Sequence, residues 1–140
     1  MIILDTNVLS EFMKRQPSAD VIAWAAQQPA DKLFTTTITE AEIFYGIELL
    51  SKGRRRASLL AAAEAMFAQD LGGRILGFES KAARAFSQIA ARRRQLGKPI
   101  SHADAQIAAI AQSQGAKLAT RNVGDFQDCG LTLVDPWSGP

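Results

Sequence analysis

Four acidic side chains stand where an acid can do chemistry: Asp5, Glu42, Asp104 and Asp125. Asp5 ends the apolar, β-branched run Met1 to Leu4, the pattern of a strand buried on both faces. Glu42 and Asp104 fall near the starts of two predicted helices, each on an otherwise apolar stripe. For Glu42 that stripe is Ile38, Gly46 and Leu49; for Asp104 it is Ile107, Ala108 and Ala111. Asp125 lies in a short turn beyond Lys117 to Ala119, a further predicted strand. Carboxylates gathered in one place bind hard cations, and a bound cation can activate water against a phosphodiester. Each acid also has a structural reading. Asp5 can cap the helix that follows it, and Thr39/Glu42 and Ser101/Asp104 both have the spacing of a capping box. Local sequence favours the cap at Glu42, and periodicity alone does not choose between Glu40 and Glu42.

The elements that must position these acids alternate along the chain. Strands are expected at Met1 to Leu4, Leu33 to Thr37, Ile75 to Phe78, Lys117 to Ala119 and Leu131 to Val134. Between them the apolar spacing predicts a short helix through Val8, Leu9 and Phe12, and others over 18–28, 39–51, 54–69, 79–96 and 101–115. Inward faces are read as Leu59, Leu60, Ala63, Met66 and Phe67 in one helix, and Ala82, Phe86, Ile89 and Ala90 in another. Their spacing is that of core, not of cofactor contacts. Strand-helix alternation implies right-handed crossovers and a parallel sheet covered on both faces, an α/β protein. Strand ends and helix starts then lie at one edge, where open α/β sheets bind ligands. Four acids converging there repel one another unless a cation is present.

Composition narrows the choices further. A chain of 140 residues makes one domain with one sizeable core, 1–140. The single cysteine, Cys129, excludes an internal disulfide, and with one histidine, His102, only oxygen ligands are left for a metal. No apolar run approaches the ~20 residues of a membrane span and no signal peptide is evident, so a cytoplasmic location is expected. The net charge of +2 is small, and its basic clusters, Arg54 to Arg56 and Arg92 to Arg94 with Lys98, read first as solvated helix faces. The helix from Ile38 to Leu50 is apolar on almost every side, so a subunit contact, a homodimer, is expected there.

Taken together, LDTNVLSE at the N-terminus, TITEAEIFYG around Glu42, DAQIAAIAQSQG from Asp104 and LATRNVGDF to Asp125 resemble the PIN-domain ribonucleases. Within that family the likeness is greatest to the VapC-type toxins of bacterial toxin–antitoxin pairs, and it spans Met1 to Trp137. The resemblance implies a PIN-like fold, a parallel five-stranded sheet flanked by helices on both faces. It implies a Mg²⁺-dependent endoribonuclease, with Mn²⁺ able to substitute. It selects Glu42 over Glu40, matches Asp5 and Asp104 to the main metal ligands, and matches Glu42 and Asp125 to further acids that hold waters or a second ion. Asp128 competes with Asp125 for its place. Thr6, Asn7 and Asn122 match polar residues lining the same pocket. The implied partners are an RNA substrate and a cognate antitoxin, with DNA reached only through the antitoxin.

Other classes fit less well. A haloacid-dehalogenase-type phosphatase needs a second Asp two residues after the first, where Asn7 stands. A response-regulator receiver needs an Asp closing a later strand, and neither the second nor the third strand ends in one. A catalytically weak binding partner that stabilises a DNA-binding antitoxin is the remaining alternative, and the intact acids argue against it.

Overall fold

The computed structural model describes Met1 to Ser138, so the last two residues of the expected domain lie outside the described residues. Five strands form one parallel sheet: β1 (Ile2–Leu4), β2 (Leu33–Thr36), β3 (Ile75–Leu76), β4 (Lys117–Ala119) and β5 (Leu133–Val134). The spatial order is β3-β2-β1-β4-β5. The chain therefore builds outward from β1 on one side, then returns to place β4 on the other. The carboxyl ends of β1 and β4 lie side by side at this reversal, the crevice where open α/β sheets receive ligands.

Alternation along β1 divides the core. Ile3 packs with Leu118, Ile107 and Ile110 beneath α5 (Ser80–Gln95) and α6 (His102–Ser113). Leu4 faces the other way, with Val8, Leu9, Ile43, Phe67 and Ala119. That layer belongs to α1 (Thr6–Phe12), α3 (Thr37–Glu48) and α4 (Arg54–Ala65), with α2 (Ala19–Ala26) contributing Val21. Period two in the strands thus places a helix layer on each face, as the alternation of elements requires.

Three local expectations change. The helix through Glu42 starts at Thr37, not Thr39, because the Thr36 hydroxyl accepts the Thr39 N–H at 3.1 Å and stops β2 one residue early. Thr39 is thereby buried inside the first turn, and the capping box with Glu42 does not form. The edge strands are short: β3 ends at Leu76 and β5 begins at Leu133. In α5, Phe86 and Ala90 are only half-buried, and the inward stripe is Ala82, Ala85, Ile89 and Arg93. Arg93 is no solvated residue. Arg92 and Arg94 are exposed as expected, as are Arg54 and Arg55, while Arg56 pairs with Glu48 at 2.7 Å.

Candidate active site

The Asp5 backbone N–H donates to the Ala119 carbonyl at 2.9 Å, tying the ends of β1 and β4 together. Its side chain is the N-cap of α1: Oδ1 accepts the Thr6 N–H at 2.8 Å, and Oδ2 accepts the Thr120 hydroxyl at 2.7 Å. Capping and site are therefore not alternatives here. Those two bonds occupy half of the roughly four acceptor positions of a carboxylate, leaving the others for a ligand. Thr120 is saturated in turn, accepting from the Asn122 N–H at 3.1 Å and the Asn7 amide at 3.4 Å.

Burial, and then the nearby charges of Asp104 and Glu42, push the Asp5 carboxyl up to about 6, against the lowering effect of Thr120 and Thr6. Asp104 is raised chiefly by burial too, and the charges of Asp125 and Glu42 add to it, while the Ser101 hydrogen bond and Arg93 oppose it. The expected cap at α6 is present: Ser101 Oγ accepts the Asp104 N–H at 3.2 Å. Glu42 is placed from the opposite helix layer. Its Oε1 accepts the Thr6 hydroxyl at 2.7 Å, and the Thr39 hydroxyl lies 3.1 Å from that of Thr6. With the single Thr6 proton committed to Glu42, Thr39 is the donor in that second contact.

These groups line a cleft of about 420 Å³ walled by Asp5, Thr6, Asn7, Glu42, Asp104 and Asn122. Six of the seven residues read from sequence thus share one space. Asp125 does not line it. It is exposed on the turn Val123–Phe126 and reaches the site through its charge on Asp104. Asp128 points its charge elsewhere, 3.9 Å from Lys98 Nζ.

A match to the PIN domain family model runs over residues 2–129, nearly the whole chain. The chain belongs to the PIN domain family. Its relatives include the VapC ribonuclease Y4jK of Sinorhizobium fredii, 37% identical over 98% of each chain. The toxin FitB of Neisseria gonorrhoeae is 35% identical over 98% of this chain and 99% of its own. Among solved structures, FitAB bound to an IR36 DNA fragment aligns with a TM-score of 0.91 at 35% identity, covering 98% of this chain and 96% of that one.

The cleft of this PIN domain has a basic and aromatic rim that the sequence reading did not single out. Lys14, Arg121 and Trp137 all line it, with Ser10 and Glu11. The Arg121 guanidinium lies 5.1 Å from the centre of the Trp137 ring, an arrangement that fixes the cation at the mouth. Glu11 is buried, bound to Lys14 at 2.9 Å and to the Ser18 N–H at 2.8 Å, and those two partners hold its carboxyl below the usual range. Glu11 is thus committed to holding Lys14 in place. Only tertiary folding brings Trp137 beside Arg121; no local pattern announces it.

The donor set suits a hard divalent cation, since Asp5, Glu42 and Asp104 offer carboxylate oxygens and Thr6, Asn7 and Asn122 beside them offer hydroxyl and amide oxygens. Among the described residues no three His, Cys, Asp or Glu side chains are grouped tightly enough to enclose a metal ion.

Proposed function

We propose that this PIN domain is a metal-dependent endoribonuclease, the toxin of a toxin–antitoxin pair. The observation that carries the reading is Asp5 at the reversal of the sheet, raised chiefly by burial and further by the charges of Asp104 and Glu42, in a cleft also lined by Lys14 and Arg121. Mg²⁺ is the assigned ion and Mn²⁺ its substitute, held by Asp5 and Asp104 with Glu42 and Asp125 as further acids. When bound, the ion supplies activation of the attacking water and stabilisation of the extra phosphoryl charge. The protein's own groups do the rest. Thr6 and Thr120 fix the Asp5 oxygens, and Thr6 also fixes Glu42. Asn7 is held by Thr120 and by the Arg121 N–H at 3.2 Å, which keeps its amide at the cleft wall. Lys14 and Arg121 draw a polyanionic backbone to an otherwise acidic cleft. A single strand or loop of RNA can approach that closely, so it is the assigned substrate.

Relatedness to FitB and the alignment with FitAB on DNA support a cognate antitoxin partner that carries the DNA contact. Among the described residues no helix is long and apolar enough to cross a membrane, and the proposed site of action is the cytoplasm, where RNA is available as substrate. Purified protein incubated with total RNA is expected to cleave it with Mg²⁺ or Mn²⁺ and to stop on addition of EDTA. Cleavage that persists in the chelator would overturn the metal assignment.

The chain is further assigned as a homodimer through α3. Tyr45 and Leu49, one helical turn apart, are 66% and 68% exposed, which leaves an apolar strip uncovered on a monomer. Light scattering is expected to report a dimer at micromolar concentration, and a Tyr45→Glu/Leu49→Glu double variant is expected to be monomeric. A wild-type monomer would sink this part of the reading.

A further inference from the structure

Arg93 is an arginine placed where α5 should turn a small apolar residue inward. It is 5% exposed, on the stripe of Ala82, Ala85 and Ile89. Among the described residues it forms no ion pair, so its guanidinium is satisfied by carbonyls instead. Nε donates to the Lys98 carbonyl at 2.7 Å. Nη1 donates to the carbonyls of Asp125 at 2.7 Å and Gln127 at 3.0 Å, and lies 3.6 Å from the Cys129 sulfur. A buried cation held by carbonyls and a sulfur with no carboxylate bonded to it is costly, and an apolar side chain would ordinarily serve a core stripe better.

The two segments it grips have one thing in common. Lys98 lies three residues before Ser101, the cap that launches Asp104 into the cleft, and Asp125 is on the turn that Arg93 holds by its backbone. We infer that Arg93 is a positioning residue that sets Asp125 against Asp104, so that the two acids act together at the site. The guanidinium suits the task because its donors are fixed in a planar fork, whereas a lysine at the same place is a single flexible point charge. The inference rests on Asp125 belonging to the proposed metal site. Helix α5 thereby contributes to a site that none of its side chains lines.

The test is a double-mutant cycle read as Mn²⁺ affinity by titration calorimetry, with wild type, Arg93→Gln, Asp125→Asn and the double variant. Arg93→Gln is expected to weaken Mn²⁺ binding about 10–100-fold, the usual effect of losing a group that orients a ligand. Asp125→Asn should weaken it too, and the double variant should bind like Asp125→Asn alone. Arg93→Lys keeps the charge but loses the fork, so it should fall with Arg93→Gln rather than match wild type. It also carries the cycle if Arg93→Gln does not fold. Hydrogen exchange should rise at residues 123–127 while the strand amides stay protected.

Arg93 variants with wild-type affinity would overturn the proposal. So would an Asp125→Asn variant with wild-type affinity, or losses that add fully in the double variant. RNA cleavage by the wild type is scored separately. Its absence beside intact Mn²⁺ binding strikes the ribonuclease reading and leaves the cycle to judge Arg93.

Discussion

Asp5→Asn is expected to lower RNA cleavage about 10²–10³-fold, the size of effect seen when one preorganised electrostatic group is removed. The substitution keeps the shape and removes the charge. An asparagine oxygen still accepts the Thr6 N–H, so the cap on α1 survives. The other position becomes an amide facing the Thr120 hydroxyl, whose two lone pairs are already taken by Asn122 and Asn7. The loss therefore falls on the cation and on the local hydrogen-bond order, not on the fold as a whole. Single-turnover cleavage in saturating Mg²⁺ measures it. A variant that cuts at the wild-type rate would remove Asp5 from the chemistry.

The same residue sets a pH dependence. In the metal-free protein Asp5 titrates near 6 against its ordinary 3.8, so the folded state holds its proton more tightly than the unfolded state does. The associated stability is fully present below about pH 4 and is lost as pH rises through about 6. The difference is worth roughly 3 kcal/mol. A bound cation favours the ionised form and opposes that loss, so metal binding should release a proton near pH 6 and weaken on acidification. Cleavage should decline below pH 6 for the same reason.

What could be read from the sequence was whatever local chemistry dictates. Asp5 is legible because an apolar β-branched run stops at it, and Asp104 because Ser101 caps its helix as the spacing says. Glu42 is obscured by a neighbour: Thr39 stands at capping-box spacing from it, yet Thr36 takes the cap because its hydroxyl reaches the Thr39 N–H. That frees Glu42 to receive Thr6 from a different helix, a contact across 36 positions that no local window contains. Arg93 falls on the stripe of Ala82, Ala85 and Ile89, so periodicity does mark it as inward. Its flanking arginines disguised it as part of a solvated cluster. Trp137 and Glu11 share the cleft wall only through tertiary packing, Trp137 resting on the layer of Leu4, Val8 and Leu9 that α1 helps to build. The edge strands are shorter than their apolar runs because each pairs on one side only and two residues suffice for the ladder.

Asp104→Asn is expected to raise the melting temperature in EDTA and to lower the affinity for Mg²⁺. Burial, together with the charges of Asp125 and Glu42, holds the Asp104 carboxyl above its usual range, so its ionised form is under repulsion when no cation is present. Like charges sharing a cleft cost roughly 1–3 kcal/mol per close pair before solvent screening, and neutralising one member removes its share. Asparagine is also a good residue for a helix start, and the cap bond runs from the Asp104 backbone N–H, which asparagine keeps, to Ser101 Oγ, so the cap is not at risk. For a chain of this length each kcal/mol relieved moves the melting temperature by about 2–4 °C. Millimolar Mg²⁺ should then stabilise the wild type by mass action and stabilise the variant less, so that the order of the two melts narrows or reverses. A carboxylate acting only as a structural cap predicts the opposite pattern: a neutral or slightly destabilising change, and melts indifferent to Mg²⁺. Four thermal melts, two proteins with and without the ion, decide between a shared acidic site and a set of independent caps.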